Sequence, residues 1–200
     1  MPTDTDLLDA WRQGSAAAGK DLVGRHFGAV HRFFVNKVSN QADDLVQATF
    51  LRCVEQRDRF EGRSSFRTFV FAVARNVLFE HYRSTRRRDI EFGVTSMAAL
   101  DPSPSQIVAD VEWERALLET LRTVPAEVQL LLELYYWEGL STTELAEVFS
   151  VARGTIKSRL SAARSALRDA CAERGLEVGV GTRRVVPGWA RDLGELSPPS

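Results

Sequence analysis

Cysteine is scarce: Cys53 and Cys171 are the only two in 200 residues. That is too few for a disulfide framework or a four-ligand zinc site, so both are read as reduced, buried thiols. No run of about 18 apolar residues occurs, so no membrane span is expected. The stretch from Met1 to Asp9 is acidic and lacks the basic-then-apolar order of a secretion signal, which leaves the cytoplasm as the expected compartment. Phosphate-cradling and nucleophile signatures are missing as well: there is no GxxxxGK[ST], GxGxxG or GxSxG. His26, His31 and His81 form no HExxH and pair with no nearby cysteine. No catalytic residue, metal ligand or cofactor is therefore assigned, and the chain is not read as an enzyme. Nor is there an excess of one charge. Lys plus Arg number 26 and Asp plus Glu 27, a net charge of −1, which excludes a uniformly basic coat but not a segregated one. Sustained period-two alternation is absent, so no central strand is expected.

Amphipathic helices fill the chain instead. A short one holds Leu7, Leu8 and Trp11 and stops near Gly14, and a longer one carries Leu22 to Val38 at three- and four-residue spacings. A third spans 43–56 and a fourth 66–88, separated by the polar loop 57–65. Residues 90–109 hold Gly93, Pro102, Pro104 and several hydroxyl side chains, the composition of a linker. Helices resume at 111–124, from Pro125 to about Glu138, from a Ser141–Glu144 capping box to Phe149, and from about Ala152 to Glu173. The expected architecture is all-α: two small helical domains, 1–89 and 110–174, on a flexible linker, 90–109, with an irregular tail, 175–200.

Charge divides sharply at one turn. Residues 109–150 carry nine carboxylates against Arg115 and Arg122. Residues 151–170 carry Arg153, Lys157, Arg159, Arg164 and Arg168 against Asp169 alone. At about 100° per residue, Ile156, Leu160, Ala163 and Leu167 form a stripe that can face a core. Arg153, Lys157, Arg164 and Arg168 form an arc beside it, with Ser158 and Ser161 further out and Thr155 in the first turn. Such a helix suits a DNA groove, and with the preceding short helix it reads as a helix-turn-helix. The candidate groove contacts are Arg153, Thr155, Lys157, Ser158, Ser161, Arg164 and Arg168. A second basic region, interleaved with Phe60, Phe66, Phe69 and Tyr82, surrounds the 57–65 loop and the helix after it. Basic side chains with aromatics can bind single-stranded nucleic acid, although Phe66 and Phe69 also read as core.

Three separated segments resemble one family. Asp44-Leu45-Val46-Gln47-Ala48-Thr49-Phe50, Ser65-Phe66-Arg67-Thr68-Phe69 with Ala72-Val73-Ala74-Arg75-Asn76, and Gly154-Thr155-Ile156-Lys157-Ser158-Arg159-Leu160 resemble motifs of bacterial sigma factors. Pro125 and Tyr136 to Ser141 also fit. Length and a two-domain layout point to the extracytoplasmic-function (ECF) subgroup. Phe69-Val70 replaces a common Trp-Leu, and Ala152 stands where proline is frequent.

The resemblance implies core RNA polymerase and promoter DNA as partners, and an anti-sigma factor as a third. It implies that Asp44, Leu45, Gln47 and Phe50 contact the polymerase. It implies that Arg59, Arg63, Ser64, Arg67, Arg75, Asn76 and Arg83 serve the downstream (−10) element, where a loop pocket captures an unstacked base. The last helix would read the upstream (−35) element. The alternative is a helix-turn-helix regulator that acts on duplex DNA without replacing sigma.

Overall fold

The structure is a computed structural model that describes residues 1–35, 37–38, 40–58, 60, 62, 64–85, 90–101 and 112–176, with side chains from 115 in the last span. Its helices are α1 (Asp4–Arg12), α2 (Ala16–Val35), α3 (Ala42–Gln56), α4 (Phe66–Thr85), α5 (Met97–Leu100), α6 (Glu112–Leu121), α7 (Ala126–Tyr136), α8 (Thr142–Val148) and α9 (Arg153–Glu173). Among the described residues the only β-type pairing is an isolated bridge between Ser96 and Pro125. α4 is described as far as Thr85, and the continuation read to Arg88 lies outside the described residues.

The described residues of 1–89 together with Thr143–Val151 form one compact unit, and those of 90–142 and from Ala152 onward form the other. In the first, α2 packs against α1, α3 and α4, and α3 against α4. Leu22, Val30, Phe34, Cys53, Ala74 and Leu78 are sealed at its centre. α1 starts with a capping box: Thr3 Oγ1 accepts from the Asp6 N–H at 3.2 Å, and the Thr3 N–H donates to Asp6 Oδ2 at 2.7 Å. Hydrogen bonds from Thr3 hold the Asp6 carboxyl below its ordinary pKa.

α1 lies close against α2 because residue 19 has no side chain. A Cβ on Gly19 would sit 2.5 Å from Trp11 Nε1, on a buried and stiff indole. A Cβ on Gly24 would meet nothing within 4 Å. Gly24→Ala is therefore expected to stabilise by about 0.5–1 kcal/mol through helix propensity. Gly19→Ala is expected to destabilise by about 1–2 kcal/mol net, because overpacking exceeds the same propensity gain. Thermal melts of the two variants should move Tm in opposite directions; a rise for both would remove the close approach.

Lys37 is fully buried. Its Nζ donates to the Phe33 carbonyl at 2.6 Å and lies 4.4 Å from the Phe33 ring centroid. The Tyr82 hydroxyl donates to the Lys37 carbonyl. The side-chain nitrogen thus keeps an oxygen acceptor and an aromatic face inside the core.

The second unit packs α6 and α7 on α9. Its core holds Leu117, Leu121, Leu130, Leu134, Ile156, Leu160, Ala163 and Leu167. Residues 90–101, assigned by composition to the linker, belong to this core: Phe92, Met97 and Leu100 are buried. Backbone bonds fasten them, Ala98 N–H to Arg122 O at 2.9 Å, Ala126 N–H to Thr95 O at 2.9 Å and Glu127 N–H to Phe92 O at 3.0 Å. The apolar residues of this segment make too short a run for a periodic pattern beside the Gly93, Pro102 and Pro104 that mark a linker. Residues 102–111 and the tail from 177 lie outside the described residues.

α8 groups with the first unit rather than with 110–174 as the sequence division has it. Glu144, read as a capping-box partner of Ser141, has its Oε1 facing Thr68 Oγ1 at 3.2 Å and Ser65 Oγ at 3.4 Å, both of which donate to it. α8 ends in a tight turn in which Ser150 takes φ 54°. Its N–H bonds to Glu147 O at 3.1 Å and that of Val151 to Ala146 O at 2.9 Å, the paired bonds that close a helix with a left-handed residue. α9 closes the same way on Gly175 at φ 66°, where no Cβ is strained.

Both cysteines are buried and free. Desolvation pushes the Cys53 thiol up to about 12 and the Cys171 thiol up to about 11, from an ordinary 9.0. The raised folded values favour the protonated thiols. Their contribution to stability is complete below pH 9.0 and is lost as pH rises toward 11 and 12, because the unfolded thiols ionise first. Denaturant midpoints of the Cys53→Ala, Cys171→Ala double variant should therefore fall less between pH 9 and 11 than those of the wild type. An equal fall would discount the thiols.

Candidate nucleic-acid interfaces and the outer face of α3

α9 buries Ile156, Leu160, Ala163, Leu167 and Cys171 and leaves Arg153, Gly154, Lys157, Ser158, Arg159 and Ser161 exposed. The division follows from the apolar stripe in its sequence. Ala152, with ψ 146°, precedes the helix without a side-chain cap, so the first-turn N–H groups have no bond from a residue-152 side chain. Arg153 Nε donates to Thr142 Oγ1 at 3.2 Å and is exposed. Thr155 is half-buried, and its carbonyl accepts from Ser158 Oγ at 3.0 Å. Lys157 and Ser161 face solvent. Arg159 pairs with Glu127 at 3.7 Å.

The basic arc does not stay uniform along the helix. Arg164 and Arg168 are half-buried. Arg164 Nε donates to the Tyr136 hydroxyl at 2.7 Å, and its guanidinium lies 5.6 and 5.7 Å from the Tyr135 and Tyr136 rings. It thereby ties α7 to α9. Arg153, Lys157, Ser158 and Ser161 remain as the outward polar face of the N-terminal part of α9.

In the first unit, α4 presents the second group. Arg67 and Arg75 are half-buried, each over the ring four residues on: Arg67 5.7 Å from Phe71 and Arg75 4.6 Å from Phe79. Arg75 also lies 5.1 Å from Phe149. Asn76 and Arg83, seven residues apart, are exposed on one face. Ser64 is half-buried, while Arg59 and Arg63 lie outside the described residues. Phe66 is core at 4% exposure. Phe60 and Phe69 are half-buried with ring centroids 4.8 Å apart.

α3 separates the four residues of its motif. Asp44 and Gln47 are exposed, whereas Leu45 and Phe50 are buried at 9% and 7% exposure. Leu45 and Phe50 therefore serve packing, Phe50 against Phe27 with centroids 6.3 Å apart, and are corrected from surface contacts to core. Leu51, 57% exposed, joins Asp44 and Gln47 on the outer side at i, i+3 and i+7. Arg52 crosses to Glu80 of α4 in an ion pair whose hydrogen bond raises the pKa of the arginine.

Arg12 is a residue that sequence reasoning did not find. From α1 its Nε and Nη2 donate to the Arg57 carbonyl at 3.1 and 2.9 Å, and Nη2 also donates to the Phe60 carbonyl. Its partners lie 45 and 48 positions away, beyond any local pattern.

A helical protein with an exposed basic face on its last long helix, and a separate group of arginines and aromatics on and before α4, has the surface chemistry of the nucleic-acid-binding class. Comparison with known proteins specifies it. The family description "Sigma-70 region 2" matches residues 22–88 and "Sigma-70, region 4" residues 114–167. The chain is 30% identical to the ECF RNA polymerase sigma factor SigE of Mycolicibacterium smegmatis, over 88% of this chain and 70% of that protein. It is 26% identical to the ECF RNA polymerase sigma-E factor of Haemophilus influenzae, over 84% and 94%. Among solved structures, the sigma factor RpoE of Bartonella quintana, in complex with the anti-sigma factor NepR, is similar at TM-score 0.59 and 25% identity, over 76% of this chain and 96% of that one. The chain belongs to the ECF group of the sigma-70 family, and its function is that of a sigma factor. Among the described residues, no helix is long and apolar enough to cross a membrane.

Proposed function

We propose that this chain binds core RNA polymerase through the outer face of α3, at Asp44 and Gln47, and directs it to promoters that it reads at two elements. Arg153, Lys157, Ser158 and Ser161 contact the upstream (−35) element, Thr155 supports the first turn, and Arg168 adds charge at the flank. Arg67, Arg75, Asn76 and Arg83, with Ser64 and the loop residues Arg59 and Arg63, serve the downstream (−10) element. Residues 1–89 carry the polymerase and downstream functions, and 110–174 the upstream one. The chain supplies recognition and no enzymatic step, acts in the cytoplasm, and binds an anti-sigma factor, as the Bartonella relative does in its complex.

The observation that carries this reading is the order of the two matched regions, 22–88 then 114–167, around the exposed polar faces of α3, α4 and α9. Run-off transcription with purified core polymerase and genomic start sites tests it. Added chain should produce initiation that core alone does not. Duplex binding without any initiation would favour a regulator that does not replace sigma.

A further inference from the structure

The loop between α3 and α4 is held at both ends by side-chain chemistry. At its far end Ser65 Oγ accepts from the Thr68 N–H at 3.1 Å, fixing the entry to α4. At its near end the fork of Arg12 gathers the carbonyls of Arg57 and Phe60, while the Arg57 guanidinium lies 5.5 Å from the Trp11 ring. The Phe60 ring packs on Phe69 of α4. Phe60 is thus gripped by its backbone from α1 and by its ring from α4.

α1 is itself fixed. Asp4 pairs with Arg25 at 3.1 Å and with His26 at 2.6 Å, and Trp11 lies over Gly19. Yet all of α1 precedes the span 22–88 that matches region 2.

We propose that Arg12 is a positioning residue for downstream-element recognition, fixing Arg57 and Phe60 at the near end of the α3–α4 connection where an unstacked base is received. The inference rests on the reading of that loop given under Proposed function. A loop that must trap a base without nucleotide hydrolysis gains by being ordered beforehand, since ordering at the moment of capture subtracts from affinity. A guanidinium does this where an ammonium cannot: it offers several N–H groups in a rigid plane and serves two carbonyls at once. Released from Arg12, the carbonyls of Arg57 and Phe60 turn to water and the near end of the loop samples other conformations.

The test uses the full chain assembled with core polymerase. The probes are labelled single-stranded oligonucleotides carrying the non-template downstream element of a start site that the wild-type holoenzyme uses, and a scrambled version. The measured quantity is the ratio of the two affinities. Arg12→Ala and Arg12→Lys should each lower that ratio roughly tenfold, the effect of re-fixing about one backbone residue on binding. Affinity for core polymerase and for an upstream-element duplex should be unchanged. A wild-type ratio for Arg12→Lys, which keeps the charge and the stem, would overturn the proposal. So would a fall in the ratio that only parallels lost polymerase affinity, since that marks general damage. If the wild-type holoenzyme itself does not discriminate between the oligonucleotides, the reading of the loop fails, whatever Arg12 does.

Discussion

Arg153→Ala combined with Lys157→Ala is expected to weaken binding to an upstream-element duplex by roughly tenfold per lost phosphate contact at about 0.1 M salt, and to flatten the salt dependence by about 0.9 per contact. The two side chains lie one turn apart on the exposed side of α9, clear of the buried stripe from Ile156 to Leu167. Their loss removes charge without opening the core. Arg164→Ala is the informative contrast. Its guanidinium is engaged by Tyr135 and Tyr136, so its removal should lower Tm while leaving the salt slope near that of the wild type. Fluorescence anisotropy over a salt series reads both quantities. Unchanged affinity and slope in the double variant would remove the assigned groove face.

The contrast between Lys157 and Arg164 also marks how far sequence reaches. The helical wheel places both in one arc, and it does so correctly. What it does not contain is the position of α7, whose tyrosines engage Arg164. The same limit applies to Phe92, Met97 and Leu100, which a composition rule assigns to a tether. Their burial depends on bonds to Arg122, Ala126 and Glu127 made after the chain has turned back. By contrast, the longer helices are readable, because they repeat apolar residues at three and four and end at signals such as Gly175, whereas the four-residue α5 has no such repeat. α3 shows a different failure. The information is local there, since Leu45 and Phe50 occupy apolar positions of the repeat, whereas a contiguous motif does not separate the faces of its helix. A helix cannot present residues 44, 45, 47 and 50 to one partner.

That geometry sets the second large effect. Asp44→Ala with Gln47→Ala is expected to reduce association with core polymerase by tenfold or more, at about 1.4 kcal/mol per tenfold, while the variant retains wild-type affinity for the upstream duplex. A few central contacts commonly carry most of the energy of a protein interface. Both side chains are exposed and the helix beneath them is fixed by Leu45, Thr49, Phe50 and Cys53, so Tm should scarcely move. Leu45→Ala should behave oppositely, costing about 2–4 kcal/mol of stability through lost burial and weakening association only in proportion to the unfolded fraction. Titration of labelled chain with core polymerase, paired with thermal melts, separates the two behaviours. If the double variant forms holoenzyme at wild-type concentrations, the partner does not meet α3 on this face, and exposed Leu51 alone would not restore the assignment, because one apolar side chain on a polar surface is ordinary.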